Sequence, residues 1–109
     1  MKNSLPINKH SDNRRDMVEW ITDFPIRNTK VITLKEDAEL GNHYHKIKDE
    51  IFFMFKGGGT VVVEGVEEKF EEGDTLYIPA GKKHTFKLPA GSILMEAATK
   101  PYNKDDEHE

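Results

Sequence analysis

The sequence predicts an all-β domain, and three observations lead to this expectation. β-branched and aromatic runs are short and recur about every 8–12 residues. Turn segments rich in glycine and proline separate them, as at 57–59, 79–81 and 89–91. No apolar pattern with the 3.6-residue period of a helix is sustained along the chain. We therefore expect an antiparallel β-sandwich or small β-barrel in a single domain.

The predicted elements follow one another with little between them. Residues 1–30 are expected to be an N-terminal arm and covering segment. Of these, 1–16 are a polar mobile tail or an arm that orders only against a partner chain, and 17–26 are an apolar stretch that covers one end or edge of a sheet. The barrel is expected over 31–98 and a charged C-terminal tail over 99–109. The covering side chains are Trp20, Ile21, Phe24 and Ile26. The predicted strands are 31–34, 51–55, 60–64, 66–70, 75–78, 84–88 and 92–97.

The strand at 51–55 is apolar on both of its faces, which is unusual for a barrel strand. Alternate residues of a strand point to opposite sides, so Phe52 and Met54 share the face of Glu50. Ile51, Phe53 and Phe55 form the other face. That second face needs a cover of its own, either the segment 17–26 or another subunit. We expect a homodimer.

Composition and charge exclude several classes of protein. The 109 residues suffice for one domain with a real core. A net charge of -4, with lysine and glutamate interspersed, disfavours a nucleic acid or an anionic membrane as partner. The absence of cysteine excludes disulfides, thiolate metal sites and cysteine nucleophiles. Without an apolar leader or a run of about 18 apolar residues, the chain is expected to be cytoplasmic.

The first chemical signal lies between Gly41 and Glu50, where His43 and His45 are two residues apart. In an extended strand, side chains at i and i+2 share a face and lie roughly 6.5–7 Å apart. In a helix the same two positions would be about 200° apart around the axis. A bent strand would let both imidazoles converge on one ion, together with the Glu50 carboxylate.

A second signal follows a predicted strand far down the chain. Pro79 fixes φ and Gly81 permits a left-handed turn, so stiff backbone geometry sets the direction of His84. Phe86 and Leu88 share the face of His84 by strand alternation. Polar side chains in such an apolar setting are costly unless they are satisfied, and a divalent cation would satisfy them. Phe52, Met54 and Phe86 are the predicted substrate contacts.

Together, the two segments resemble the motifs of the cupin superfamily. The first motif places His-x-His, a glutamate and a glycine at set intervals, which His43, His45, Glu50 and Gly57 match. Gly41, however, lies closer to the first histidine than is usual. The second motif is matched by Gly73, Pro79, Gly81 and His84, with Leu88 where the family has an asparagine. The resemblance covers 31 to about 97.

This resemblance implies a small antiparallel barrel of jelly-roll topology, also called a double-stranded β-helix. It also implies one divalent transition metal (Mn, Fe, Ni, Zn, Co or Cu) held by His43, His45, Glu50 and His84. Three imidazoles and a carboxylate suit any of these ions. Some sugar-modifying relatives instead keep His-x-His as acid–base groups and bind no metal.

Three hypotheses for the function follow. The first is a metal-dependent isomerase or oxygenase acting on an oxygen-rich small molecule, such as a sugar, keto or enediol compound. The second is a non-catalytic module that binds or senses a small molecule. The third is a metal-free enzyme similar to nucleotide-sugar ketoisomerases, with His43 and His45 as proton shuttles. Glu96 is expected at a solvated strand position, and His10 and His108 in solvated tails.

Overall fold

The computed structural model describes residues 7–20, 25–101 and 103–108, and for Asn42 the backbone alone. The described residues form ten β-strands and a short 3-10 helix at Lys104–Asp106. The strands are β1 (Ile7–Ser11), β2 (Asp16–Trp20), β3 (Asn28–Thr33), β4 (Ala38–His43), β5 (Glu50–Lys56), β6 (Gly58–Val63), β7 (Val66–Glu71), β8 (Thr75–Ile78), β9 (His84–Leu88) and β10 (Ile93–Ala98).

Two four-stranded antiparallel sheets pack face to face, which confirms the predicted all-β class. One sheet has the order β3-β10-β5-β8 and the other the order β4-β9-β6-β7. From β3 onward, strands that are consecutive in the chain therefore belong to different sheets, apart from the β6–β7 hairpin. The strand alternation predicted for β5 and β9 is confirmed, because Phe52, Met54, Phe86 and Leu88 are all buried between the sheets.

The outer face of β5 is partly covered from within the chain. Ile51 and Phe53 are buried, and the indole ring of Trp20 stacks on Phe53 with ring centroids 5.7 Å apart. Trp20 therefore contacts this face as expected, whereas Ile26 is exposed. The other two predicted covering residues, Ile21 and Phe24, lie outside the described part of the chain.

The N-terminal segment, expected to be a mobile tail or an arm that orders only against a partner chain, is paired within the chain over the residues that the structure describes there. β1 and β2 form an antiparallel hairpin within the chain, with Ile7 opposite Trp20 and Ser11 opposite Asp16. The turn is closed by Asp12, whose carboxylate accepts hydrogen bonds from the N–H groups of Arg14 and Arg15. This Asx-type turn is a local signal in the sequence that the apolar periodicity did not reveal.

No helix among the described residues has the length and apolar character needed to cross a membrane.

Candidate active site

A cavity of about 190 Å³ opens between the two sheets at one end of the barrel. Its polar wall contains the histidines and glutamate of the two sequence motifs, and its apolar wall contains aliphatic and aromatic side chains. The lining residues are Lys30, Ile32, Leu40, Gly41, His43, His45, Lys48, Glu50, Phe52, His84, Phe86, Leu94, Glu96 and Glu107.

Two antiparallel strands bring the two motifs together. β4 pairs with β9, and the register places His43 opposite His84 after an irregularity between Gly41 and His43. Gly41 has a φ of 101°, and a Cβ built there would lie 2.8 Å from the backbone oxygen of His84. The close approach that brings the histidines together therefore requires a glycine at this position.

Backbone carbonyls fix the ring orientation of the two buried histidines. Nδ1 of His45 lies 2.9 Å from the carbonyl oxygen of Asp106, and Nδ1 of His84 lies 3.2 Å from that of Lys82. A carbonyl oxygen only accepts, so each Nδ1 carries the hydrogen and donates it. In neutral rings, each Nε2 then presents a lone pair, and each Nε2 lies 3.6 Å from Oε1 of Glu50.

His43 completes the group at the mouth of the cavity. Its ring centroid is 4.7 Å from that of His45 and 5.1 Å from that of His84. Its Nδ1 lies 3.6 Å from Oε1 of Glu107, and its side chain is 21% exposed. His43 is thus the histidine of the three that is most open to an incoming molecule.

Burial moves the protonation equilibria of the site in opposite directions. Desolvation lowers the pKa of His45, and it lowers that of His84 to about 4. Desolvation, followed by the neighbouring Glu96 carboxylate, raises the pKa of Glu50 to about 8. Near neutral pH the site therefore holds His45 and His84 as neutral imidazoles beside a largely protonated Glu50 carboxyl group.

The structure places all four predicted metal ligands around this one cavity. Their role as ligands stays a prediction, since no group of three or more His, Cys, Asp or Glu side chains in the described ranges has metal-binding geometry. The donor set nevertheless fits a divalent ion in its chemistry. Metal-bound histidines usually donate their other ring N–H to a carbonyl or carboxylate, as His45 and His84 do here.

The predicted substrate contacts divide between the cavity and the core. Phe52 and Phe86 line the cavity, whereas Met54 belongs to the hydrophobic core and is not among the lining residues. Lys48, Asp106 and Glu107 belong to the site or its surroundings but were not among the predicted site residues. Glu96 was expected at a solvated position, and this was wrong, because it is buried and lines the cavity.

A usable signal existed for Glu96 alone. It lies between the buried residues Leu94 and Ala98 on the inner face of β10, so strand alternation already points it inward. Asp106 and Glu107 belong to the segment expected to be a charged tail. That segment instead pairs with the β4 end, where Tyr44 and His108 exchange two backbone hydrogen bonds. Such a long-range pairing leaves no pattern in a single sequence.

The chain belongs to the cupin family. The family model described as "Cupin domain" matches residues 30–95, which is more than half of the chain and includes both histidine motifs. This match agrees with the two packed sheets and with the position of the cavity between them.

Similarity to individual proteins is limited in length or in identity. An uncharacterised protein of Aquifex aeolicus is 34% identical over 65 residues, which cover 59% of this chain and 54% of that protein. The quercetin 2,3-dioxygenase of Bacillus subtilis is 30% identical over 60 residues, covering 55% of this chain and 18% of the dioxygenase. This chain thus matches about half the length of the first relative and about a fifth of the second.

Among solved structures, the QdtA 3,4-ketoisomerase of Thermoanaerobacterium thermosaccharolyticum, in complex with TDP, is similar in fold. The TM-score is 0.79 at 22% identity, and the match covers 94% of this chain and 83% of the ketoisomerase. At this identity the likeness concerns the fold.

Proposed function

We propose that the protein is an isomerase that moves a carbonyl group along a small sugar-like molecule by proton transfer, with histidines as the bases. The observation that carries this proposal is the fixed orientation of His45 and His84. Both present an Nε2 lone pair to the cavity beside the Glu50 carboxyl group. A neutral base next to a protonated acid is the arrangement that general acid–base catalysis requires.

The proposed reaction needs no external oxidant or reductant. Nε2 of His45, or His43 at the mouth, takes the proton from a carbon that bears a hydroxyl and adjoins the ketone. The electron pair of that C–H bond forms the C=C bond of an enediol, while Glu50 gives its proton to the carbonyl oxygen. Return of a proton to the former carbonyl carbon, with loss of the other hydroxyl proton, leaves the carbonyl group one carbon further along.

The cavity volume limits which part of a ligand takes part. A volume of about 190 Å³ lies below the roughly 300–1,000 Å³ of typical pockets for drug-sized ligands. It suits a compact group such as one sugar ring. The fold shared with a ketoisomerase that binds TDP supports a keto sugar as substrate class, with any nucleotide portion outside the cavity.

Proton transfer to and from carbon is tested by isotope exchange. The purified protein is incubated in D2O with a panel of free and nucleotide-linked keto sugars, and NMR follows the loss of the C–H signals beside the ketone. We expect the wild-type protein to catalyse exchange. In His45→Ala we expect the exchange rate to fall by a factor of at least about 100. The matched control is His10→Ala, an exposed histidine in β1. Equal exchange in both variants would contradict the proposal.

A second candidate function is favoured by the donor set itself. His43, His45, Glu50 and His84 would hold a divalent metal, and such an ion would polarise a bound carbonyl as a Lewis acid. In this case the same histidines would bind and orient the metal rather than move protons. Whether the exchange reaction needs an ion therefore distinguishes the two candidates.

Metal content is measured by elemental analysis of protein purified without added metal, for the wild type, His84→Ala and His10→Ala. The second candidate predicts near-stoichiometric metal in the wild type and the control, and its loss in His84→Ala. Exchange activity that persists after chelation assigns the chemistry to the histidines alone. Activity that disappears on chelation and returns with one divalent ion assigns it to the metal-dependent form.

We also propose that two copies of the chain associate through the outer face of the β3-β10-β5-β8 sheet. Val31 in β3 is 66% exposed and Phe55 in β5 is 56% exposed, although Trp20 covers Phe53 on the same face. Large apolar side chains left exposed on a sheet face are typical of an interface between subunits.

A further inference from the structure

A cluster of charged side chains lies in the cavity wall beyond Glu50. Glu96 in β10 is the cross-strand neighbour of Lys30 in β3 and of Phe52 in β5. Oε2 of Glu96 lies 3.9 Å from Nζ of Lys30 and 4.0 Å from Nζ of Lys48. Lys48 also lies 3.9 Å from Oε2 of Glu50, so the cluster continues directly from the histidine group.

The carboxylate of Glu96 has an unused acceptor. Its Oε2 is buried and has no hydrogen-bond partner among the described residues, although the Glu96 carboxylate also shares a side-chain hydrogen bond with the Glu50 carboxyl group. The two lysine distances near 4 Å exceed the 2.7–3.2 Å of a hydrogen bond. Leaving a buried acceptor unsatisfied costs about 1–3 kcal/mol, more for a charged group, so a partner within the cavity is expected.

The chemistry of the cluster selects the kind of partner. A cationic ligand would meet Lys30 and Lys48, and an anionic ligand would meet the carboxylate of Glu96. A neutral hydroxyl suits both, because it donates to a carboxylate oxygen and accepts from an ammonium group. Because two ammonium groups lie beside one carboxylate, the cluster suits two hydroxyls on adjacent carbons of a ligand better than it suits one isolated hydroxyl.

We propose that Glu96, Lys48 and Lys30 form a hydroxyl-binding subsite that holds the neutral polyol portion of the ligand beside the histidines. Glu96 accepts from a ligand hydroxyl, and the lysines donate to the same hydroxyl or to its neighbour. The role of this subsite in catalysis rests on the proposed isomerase function, because the subsite would hold the carbons of the substrate that do not react. Binding of a polyol by itself does not depend on turnover.

Calorimetric titration with two unreactive alcohols of equal chain length tests the subsite. Erythritol bears a hydroxyl on every carbon, whereas 1,4-butanediol lacks the two inner hydroxyls. With EDTA present to remove any ion, wild-type protein is expected to bind erythritol about ten-fold more tightly, as one or two added hydrogen bonds to charged groups predict. Equal affinity for the two alcohols would overturn the proposal, and this comparison requires no variant.

Variants then assign the preference to the cluster. Glu96→Met removes the acceptor at similar size and should abolish the preference, whereas Glu68→Gln, at an exposed position in β7, should retain it. A folded Glu96→Met protein that still prefers erythritol would overturn the proposal. If circular dichroism shows that this variant does not fold, Lys48→Met takes its place, with Lys35→Met as the exposed control. Loss of preference supports the subsite, and its retention overturns it.

The outcome is separable from that of the proposed function. Isotope exchange on keto sugars without a preference for erythritol would refute the subsite alone. A preference for erythritol that depends on Glu96, without exchange on any keto sugar, would refute the isomerase and leave the subsite in place.

Discussion

Among single residues, Glu50 and His84 have pKa values that are shifted strongly from their ordinary values, and the two shifts have opposite signs. The pKa of Glu50 rises from 4.5 to about 8 through burial and the nearby Glu96. The pKa of His84 falls from 6.5 to about 4 through burial. Each displacement links the stability of the fold to pH, because the folded and unfolded states then bind different numbers of protons.

The signs give a testable pH profile. Glu50 stays protonated in the folded state above pH 4.5, so its contribution to stability is lost as pH rises towards 8. His84 stays neutral in the folded state, so its contribution is lost as pH falls from 6.5 towards 4. Between 4.5 and 6.5 the two effects oppose each other. Between 6.5 and 8 Glu50 acts alone, and we expect the free energy of unfolding to fall by about 1–2 kcal/mol.

Urea denaturation at several pH values, with EDTA present, measures this profile. Glu50→Gln, which is neutral at every pH, should remove most of the fall between 6.5 and 8. The control Glu68→Gln should leave the profile unchanged. A wild-type free energy that is flat from pH 6.5 to 8 would show that Glu50 ionises in the folded protein as readily as in the unfolded chain.

At the scale of elements, the β4–β9 pair determines the geometry of the site, and Gly41 is the point at which it is most constrained. Gly41→Ala combines a positive φ with a Cβ only 2.8 Å from the backbone oxygen of His84. Gly73→Ala has a similar φ of 89° but nothing within 4 Å, so it isolates the backbone strain. That strain costs about 1–2 kcal/mol for a left-handed residue.

We expect Gly41→Ala to destabilise the protein by clearly more than Gly73→Ala and to reduce isotope exchange as well. Since the clash is with backbone, the strands must separate slightly, which moves His84 relative to His43 and Glu50. Denaturant unfolding and exchange rates of the two variants provide the measurement. Equal unfolding free energies would mean that the β4–β9 pair accommodates a methyl group without strain.

The fold and the site differ in how far the sequence alone could predict them. Strand alternation in β5 and β9 correctly assigned the inward faces, because a period of two is strong wherever one face is buried. The two histidine motifs located four cavity residues for the same local reason. Lys48 lies in a loop with no period, and its burial depends on the long-range contact with Glu96 as well as on the nearby Glu50.

At the N-terminus the structure follows from the hydrogen bonds of one turn, which the polar composition of the segment did not reveal. Composition predicted a mobile tail or an arm ordered only against a partner chain, whereas Asp12 closes the turn of a hairpin whose strands are exposed along most of their length. At the other end of the described chain, Asp106 accepts hydrogen bonds from the N–H groups of Lys46 and Ile47 through its carboxylate. Neither interaction involves apolar periodicity, which was the main signal used for the rest of the fold.

For the whole molecule, the proposed association predicts a dimer in solution at micromolar concentration. Val31→Lys would place a charge within the proposed interface, and we expect this variant to sediment as a monomer. Val66→Lys is the matched control, because Val66 is 63% exposed in β7 of the opposite sheet. Sedimentation velocity gives the masses. A monomeric wild type would refute the proposed dimer directly.

The carbonyl groups that hold His45 and His84 also make the site accessible to spectroscopy. A buried Nδ1–H that donates to a backbone oxygen exchanges slowly with water, so its proton resonance should be visible in a nitrogen-edited NMR spectrum. The Nε2 signal of each ring then responds to whatever enters the cavity, and a proton, a metal and an alcohol each shift it differently. The Nε2 atoms of His45 and His84 thus serve as two intrinsic NMR probes. They distinguish proton transfer, metal binding and hydroxyl binding in the cavity without a foreign label.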